Sequence, residues 1–316
     1  MKVLLTGASG FIGSVVLDKL IDRNHSVIAF VRNKSSIKVN DYIQVIEGDI
    51  TDTDSVNKAC QGVDVVVHLA AAMTGDETYQ QHVTIKGTEN ILMACHTSGI
   101  KQLIYISTIN VYASNSYQDN AVVDESFQLE DNPEYRGAYS NTKLKAEAIV
   151  LNDKETISTV IRPGLVYGKN NIISADVAIP VYKNIYVYPG SGHRKLPMVY
   201  VGNLADAIVT ASETRAVTTQ AYNIVDSELP SQREVISIYN DYSDKALLAI
   251  PMSNMLFKLL IILADFLFKM IGKNKHIKYR AYTFMVSPLF YSSKFESDYN
   301  WKPKTSMINA FKEILG

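Results

Sequence analysis

Tyr139 and Lys143 stand four residues apart in the run Tyr139-Ser140-Asn141-Thr142-Lys143. Within a helical stretch that offset places both side chains on one face, with about 6 Å between their origins. A free phenol titrates near ~10 and is a weak base at neutral pH, whereas a neighbouring ammonium favours the phenolate and lowers that value. Such a pair can exchange a proton with a substrate oxygen, and the lysine can also hold ribose hydroxyls. A second set of residues could hold a nucleotide. Lys2-Val3-Leu4-Leu5 runs into Thr6-Gly7-Ala8-Ser9-Gly10-Phe11-Ile12-Gly13 and then into a helical pattern over 14–23. A buried strand, a glycine turn and a helix N-terminus in that order cradle a dinucleotide pyrophosphate. Gly7 allows the tight turn, Gly10 lets the backbone approach the phosphates, and Gly13 lets the helix pack on the strand. Ser9, Phe11 and Ile12 complete the cradle.

These groups need a scaffold. Strand-like apolar runs at 3–5, 27–31, 43–46, 63–68, 103–107 and 158–162 alternate with helical patterns at 14–23, 54–61, 79–98 and 139–152. The rhythm predicts an α/β fold, a doubly wound parallel sheet covered by helices on both faces. After residue 165 the pattern becomes irregular, punctuated by Pro180, Pro189, Gly190, Gly192, Pro197, Pro230 and Pro251. We expect a nucleotide-binding domain over 1–165 and a smaller, dependent substrate-binding region over 166–316. In the first βαβ unit an acidic residue at the end of the second strand would bind a free ribose 2′-hydroxyl. Phe30-Val31-Arg32-Asn33-Lys34 offers cations instead. Arg32 suits a 2′-phosphate, favouring NADP(H) over NAD(H), although a solvated loop residue reads the same way. The small residues after His68, Leu69-Ala70-Ala71, would let the backbone pass close to the nicotinamide-side ribose.

In the 316-residue chain, 31 Lys and Arg balance 32 Asp and Glu, giving a net charge of −1 with no basic excess to hold nucleic acid. Cys60 and Cys95 fall in apolar helical patterns and read as buried, reduced thiols rather than as a disulfide or a metal site. No basic segment with an apolar stretch and a cleavage site opens the chain, so a cytoplasmic protein is expected.

The form Thr6-Gly7-x-x-Gly10-x-x-Gly13 resembles the short-chain dehydrogenase/reductase superfamily, and Gly10-Phe11-Ile12-Gly13 resembles its extended, epimerase/dehydratase-type branch. The resemblance implies a Rossmann-type fold. It assigns an adenine contact to Asp49 and Ile50 after the third strand, and carboxamide contacts to the backbone near Pro163 and Val166 in Arg162-Pro163-Gly164-Leu165-Val166-Tyr167-Gly168. Ser107-Thr108-Ile109-Asn110-Val111-Tyr112 is similar to the family's Ser-Ser-x-x-Val-Tyr-Gly segment, which puts Thr108 at the catalytic Ser/Thr place beside Tyr139 and Lys143. Tyr200-Val201-Gly202-Asn203 and Trp301-Lys302-Pro303 match later landmarks; the latter receives no catalytic role.

Departures narrow the reading. Thr84 replaces the Asn common in this family, so the contact that Asn makes is open. Ile109 replaces the acidic residue that dehydratases use. Leu196 stands where nucleotide-sugar enzymes place an arginine, with Arg194 close by. Pro197-Met198-Val199-Tyr200-Val201-Gly202-Asn203 is more similar to the 3β-hydroxysteroid dehydrogenase and dihydroflavonol-reductase-like branch. The resemblance thus implies an NADP(H)-dependent oxidoreductase that interconverts a secondary alcohol and a ketone. A nucleotide-sugar epimerase with tightly bound NAD is the alternative. A non-catalytic NADP(H) sensor, the third reading, is disfavoured because Tyr139 and Lys143 are both present. Met73, Thr74, Asn110, Tyr112, Tyr167 and Arg194 are the expected substrate contacts for a small molecule. The stretch 254–271 is apolar with its polar residues on one stripe, and it is expected to bury a broad face as a roof or in a homodimer. A peripheral membrane helix is its other reading.

Overall fold

A computed structural model describes residues 1–169, 171–272 and 276–316. Its strands are β1 Lys2–Thr6, β2 Ser26–Val31, β3 Ile43–Glu47, β4 Val65–His68, β5 Gln102–Ile106, β6 Ile157–Pro163, β7 Leu165–Tyr167, β8 Ile179–Tyr182, β9 Ile185–Pro189, β10 Met198–Tyr200, β11 Gln220–Ile224 and β12 Leu248–Met252. Seven of them form one sheet in the order β11-β6-β5-β4-β1-β2-β3. Every pairing in it is parallel. The six strand-like runs of the first half all lie in this sheet, because unbroken Val/Ile/Leu runs suit strands buried on both faces.

Side chains alternate across β1, so Val3 and Leu5 enter one core and Leu4 the other. On the first face, helix Phe11–Asp22 packs beside helix Val201–Glu213; Val16, Leu20, Leu204 and Ile208 fill the space between them and the sheet. On the second face, Val56, Cys60, Ile91, Cys95, Ala146 and Val150 come from helices that follow β3, β4 and β5. Both cysteines are buried free thiols, and burial pushes both up. The stretch expected as one helix at 79–98 runs from Glu77 to Ser98, interrupted by a π turn at His82–Lys86.

Beyond residue 165 the chain returns to the main sheet: β11 pairs with β6, and Trp301 packs among Phe295 and Tyr299 with its indole nitrogen on Asp206. The three-stranded sheet β12-β9-β8 and the pair β10-β7 stand apart, over a core that includes Tyr167, Tyr188, Leu196 and Phe311.

Within the single chain the stretch 254–271 does not act as a roof; a homodimer contact and a membrane are its remaining readings. Helix Asn254–Met270 does not bury its broad apolar face; Phe257 and Asp265 are its buried residues, whereas Met255, Leu259, Leu263 and Phe266 are exposed. The polar stripe contains the residue that turns inward, Asp265. Asp265 pairs with Lys269 at 3.0 Å, and that pairing satisfies the carboxylate beside the protein while the apolar arc points out.

A buried ion pair ties β6 to helix Ala138–Asn152. Arg162 meets Glu147 at 2.6 Å, with both side chains almost fully buried. Removing one partner leaves the other charge alone in the interior. Glu147→Ala is therefore expected to cost about 3–5 kcal/mol in urea unfolding; a loss below about 1 kcal/mol, the worth of an exposed pair, would contradict this.

Candidate active site

The C-terminal ends of β1, β2, β4, β5 and β6 meet at one cavity of about 670 Å³, a size typical of small-molecule sites. It straddles β1 and β4, where the chain, having run outward through β2 and β3, returns to the other side of β1. Ligands of doubly wound sheets bind at this reversal. A Cβ on Gly13 would stand 2.0 Å from the Gly7 carbonyl oxygen, and one on Gly7, at φ +72°, would stand 2.9 Å from the Ala70 nitrogen. No larger residue fits either place, so strand, turn and helix stay in close contact. Helix Phe11–Asp22 starts there with no side-chain cap and no acidic residue in its first turn. Ser9, Gly10, Phe11, Ile12 and Gly13 line the cavity, and this bare, positive helix end fits a dinucleotide pyrophosphate.

Arg32, Asp49 and Ile50 line the adjoining end. Arg32 is exposed and donates to the Tyr79 hydroxyl at 3.2 Å. Asp49 Oδ1 accepts from the Thr51 amide and hydroxyl, so one oxygen holds a turn while the residue faces the cavity. Leu69, Ala70 and Ala71 form the wall beyond β4, and Pro163 and Val166 the wall beyond β6. Thr84, in the π turn, accepts from the Ala72 amide at 3.1 Å and so holds the segment that follows β4.

Thr108, Tyr139 and Lys143 converge on the same cavity. Gly137, at φ +95°, starts the helix that carries Tyr139 and Lys143 on consecutive turns. The electrostatics differ from the expectation. Burial pushes the Tyr139 phenol up to about 12, and the hydrogen bond from Thr108 opposes the rise. Lys143 Nζ donates to the Tyr105 hydroxyl at 2.9 Å and to the Ile106 carbonyl at 2.5 Å, so its charge is directed at β5. Burial pulls this amine down to about 7, opposed by Glu147. The Thr108 hydroxyl also accepts from the Asn110 amide at 3.2 Å and caps a short turn. His68, expected as a packed strand-end residue, is buried between the Thr6 hydroxyl at 2.7 Å and the Thr88 hydroxyl at 3.2 Å.

Of the expected substrate contacts, Met73, Thr74 and Asn110 line the cavity; Tyr112, Tyr167 and Arg194 do not. Tyr112 is fully buried, donating to Asn223 at 2.7 Å and accepting from Arg162 at 2.9 Å. Tyr167 packs against Tyr200 and Phe311 and donates to Asp226 at 3.1 Å. A large phenol at a strand end found a core and an acceptor, and sequence spacing alone does not separate that from a cavity position. Arg194 lies behind the wall, donating to the Asp176 and Thr283 carbonyls. Tyr79, Tyr105, Ser174 and Asp176 were not anticipated. Tyr105 sits two residues before Ser107 on the expected strand and could have been found by strand alternation; Ser174 and Asp176 come from an irregular stretch that carries no signal.

Residues 4–233 match the model of the 3-beta hydroxysteroid dehydrogenase/isomerase family. The chain belongs to that family. Membership places it among the NAD(P)-dependent extended short-chain dehydrogenases/reductases. It is similar to a 3 beta-hydroxysteroid dehydrogenase/Delta 5-->4-isomerase of Mycobacterium tuberculosis, 31% identical over 245 residues that cover 72% of this chain and 65% of the relative. The matched stretch thus spans about two thirds of that relative's length. A 2-alkyl-3-oxoalkanoate reductase of Stenotrophomonas maltophilia is 31% identical over 248 residues, 75% of this chain and 74% of the relative. Among solved structures, the Thermus thermophilus UDP-glucose 4-epimerase complex with NAD shares the fold at TM-score 0.72 and 19% identity, covering 100% of this chain and 98% of that one.

The buried histidine gives a test. Burial, with the Lys143 charge adding to it, pulls the His68 imidazole down to about 3, whereas the unfolded chain titrates near ~6.5. As pH falls below ~6.5 the unfolded state takes up a proton that the fold refuses, so stability falls by about 1.4 kcal/mol per pH unit until the folded value is reached. Urea unfolding of His68→Gln is expected to lack this one-proton slope between about pH 6 and about pH 4. Equal slopes in the two proteins would contradict it.

Proposed function

We propose that the protein is an NADP(H)-dependent oxidoreductase that interconverts a secondary alcohol and a ketone. The observation that carries the reading is the convergence of Thr108, Tyr139 and Lys143 on the glycine-cradle cavity. A nicotinamide dinucleotide held there supplies or accepts the hydride. Gly7, Gly10 and Gly13 with the amides of the helix end would hold its pyrophosphate, Asp49 and Ile50 its adenine, and Pro163 and Val166 its carboxamide side. Lys143 would hold ribose hydroxyls from the buried wall. Arg32 offers a planar fork to a 2′-phosphate, and the neighbouring Tyr79 hydroxyl helps to fix it.

Burial pushes Tyr139 up to about 12; with the nucleotide bound, the Lys143 amine would bring it down, and the phenol would donate its proton to a carbonyl oxygen as that oxygen gains charge. Thr108 would hydrogen-bond the same oxygen and fix its distance from the phenol. Donation leaves a phenolate that the Thr108 hydrogen bond favours; in the opposite direction that phenolate accepts the alcohol proton and becomes the phenol again.

A nucleotide-sugar epimerase with retained NAD is the second reading, and one observation favours an anionic substrate of some kind. Arg136 donates to Asn110 and Arg194 to the Asp176 carbonyl, both at the cavity's far wall, and the Nε of each is buried without a partner among the described residues. Burial pulls both guanidinium groups down, the Asp176 carboxylate at the cavity wall offsets both charges in part, and an anionic substrate group would add to that. A keto acid, the class named for the Stenotrophomonas relative, and a sugar diphosphate both carry such a group. Cofactor exchange separates the readings.

Purified protein is expected to release its nucleotide and to oxidise NADPH faster than NADH with a ketone; stoichiometric, non-exchanging NAD would overturn the reductase reading. Arg32→Ala should lower kcat/KM for NADPH relative to NADH by about tenfold, the worth of one charge-assisted hydrogen bond, and an unchanged ratio would remove Arg32 from cofactor choice. Tyr139→Phe should cut kcat by about a hundredfold or more while cofactor affinity stays near the parent value. Full turnover in that variant would remove the proposed proton exchange.

A further inference from the structure

The outward face of helix Asn254–Met270 is apolar along its length. At 100° per residue, Met255, Leu259, Ile262, Leu263, Phe266 and Met270 fall within an arc of about 100°, and each is exposed, from 49% at Ile262 to 81% at Met255. Soluble monomers rarely leave such a contiguous stripe open. Lys258 and Lys269 stand along one edge of the arc, both exposed. Beside that edge a shallow cavity of about 520 Å³ is lined by Asp265, Lys269, His276 and Lys278 with Tyr135 and Tyr279, and Lys269 is paired there with Asp265 at 3.0 Å. Residues 254–280 hold six Lys and Arg against the single acid Asp265, which is buried on the inner side.

At 17 residues the helix measures about 26 Å, less than a bilayer core of ~30 Å, and no helix among the described residues is long and apolar enough to cross a membrane. A large apolar face edged by lysines, too short to span, has the form of a helix that lies in a membrane interface. The charge pattern decides between a membrane and a second copy of the chain. A two-fold contact would bring the same basic stretch against itself, whereas an anionic headgroup layer complements it.

We infer that this helix docks the protein on an anionic lipid surface, with its outer face at the acyl boundary and Lys258 and Lys278 among the headgroups. The inner side connects this surface to the active site. Phe257 packs edge-on against Phe284 at 6.3 Å, Arg194 lies over the Phe284 ring, and the Arg194 guanidinium holds the Asp176 carbonyl at the cavity wall. Docking therefore brings the substrate end of the cavity towards the lipid surface.

The test is co-sedimentation of the full chain with phosphatidylcholine vesicles, with and without phosphatidylglycerol. Binding is expected to the anionic vesicles and to be weaker by about tenfold or more without phosphatidylglycerol. Leu259→Glu/Leu263→Glu/Phe266→Glu should abolish binding at an unchanged melting temperature, because all three side chains are exposed. Lys258→Glu/Lys278→Glu should remove the preference for anionic lipid. A wild-type protein that stays in the supernatant with both vesicles overturns the inference, as does equal binding to both. A wild-type dimer in light scattering that the triple variant turns into a monomer, without vesicle binding, assigns the face to a second copy instead.

Discussion

The polar face of helix Ala138–Asn152 is buried against the sheet, and the rest of the site depends on how that burial is satisfied. Tyr139, Lys143 and Glu147 follow one another at four-residue intervals, so they descend one helix face from the cavity into the interior. Glu147 is neutralised by Arg162 on β6, Arg162 also holds the Tyr112 hydroxyl, and Tyr112 holds Asn223 on β11. Among the described residues Lys143 has no carboxylate within ion-pair distance; a phenol oxygen and a carbonyl oxygen from β5 accept its hydrogen bonds. A cation held this way keeps a field at the cavity wall that a fully paired one would lose. That field reaches His68 and adds to the desolvation that keeps it uncharged behind the glycine turn.

Much of this frame was legible in the chain. Glycine spacing at 7, 10 and 13 and the run of apolar strands were strong signals because each reports a backbone constraint: a contact at 2.0 Å admits no side chain, and a strand buried on both faces admits few polar residues. Tyr139 and Lys143 were legible because a helix fixes the direction of residues four apart. The residues that build the remainder follow long-range geometry. Tyr112 and Tyr167 look like cavity residues until Asn223 and Asp226, far along the chain, supply their acceptors. Tyr105 as the partner of Lys143 required knowledge of which strand lies under which helix. The covering of helix Asn254–Met270 was left open for a related reason: hydrophobicity marks a face that avoids water without saying what covers it.

Family membership and fold agree on a nicotinamide-dependent scaffold. At the far end of the cavity two guanidinium groups stand behind Asn110 and Asp176, and an exposed apolar helix leans on the same corner through Phe257 and Phe284. The physical picture is a dinucleotide half built from backbone constraints and a substrate half that combines buried charges of both signs, Asp176 with Arg136 and Arg194, with proximity to an exposed apolar helix.

The central claim is that the Lys143 amine acts on the Tyr139 phenol when the nucleotide half is occupied. Spectrophotometric titration of the phenolate, taken as the difference between the protein and Tyr139→Phe, reads that phenol alone. With the oxidised nicotinamide cofactor bound, it is expected to titrate below its ordinary value of ~10, and to rise again in Lys143→Met. A phenol that stays up near about 12 with cofactor bound, or that is indifferent to the loss of the amine, would contradict the account.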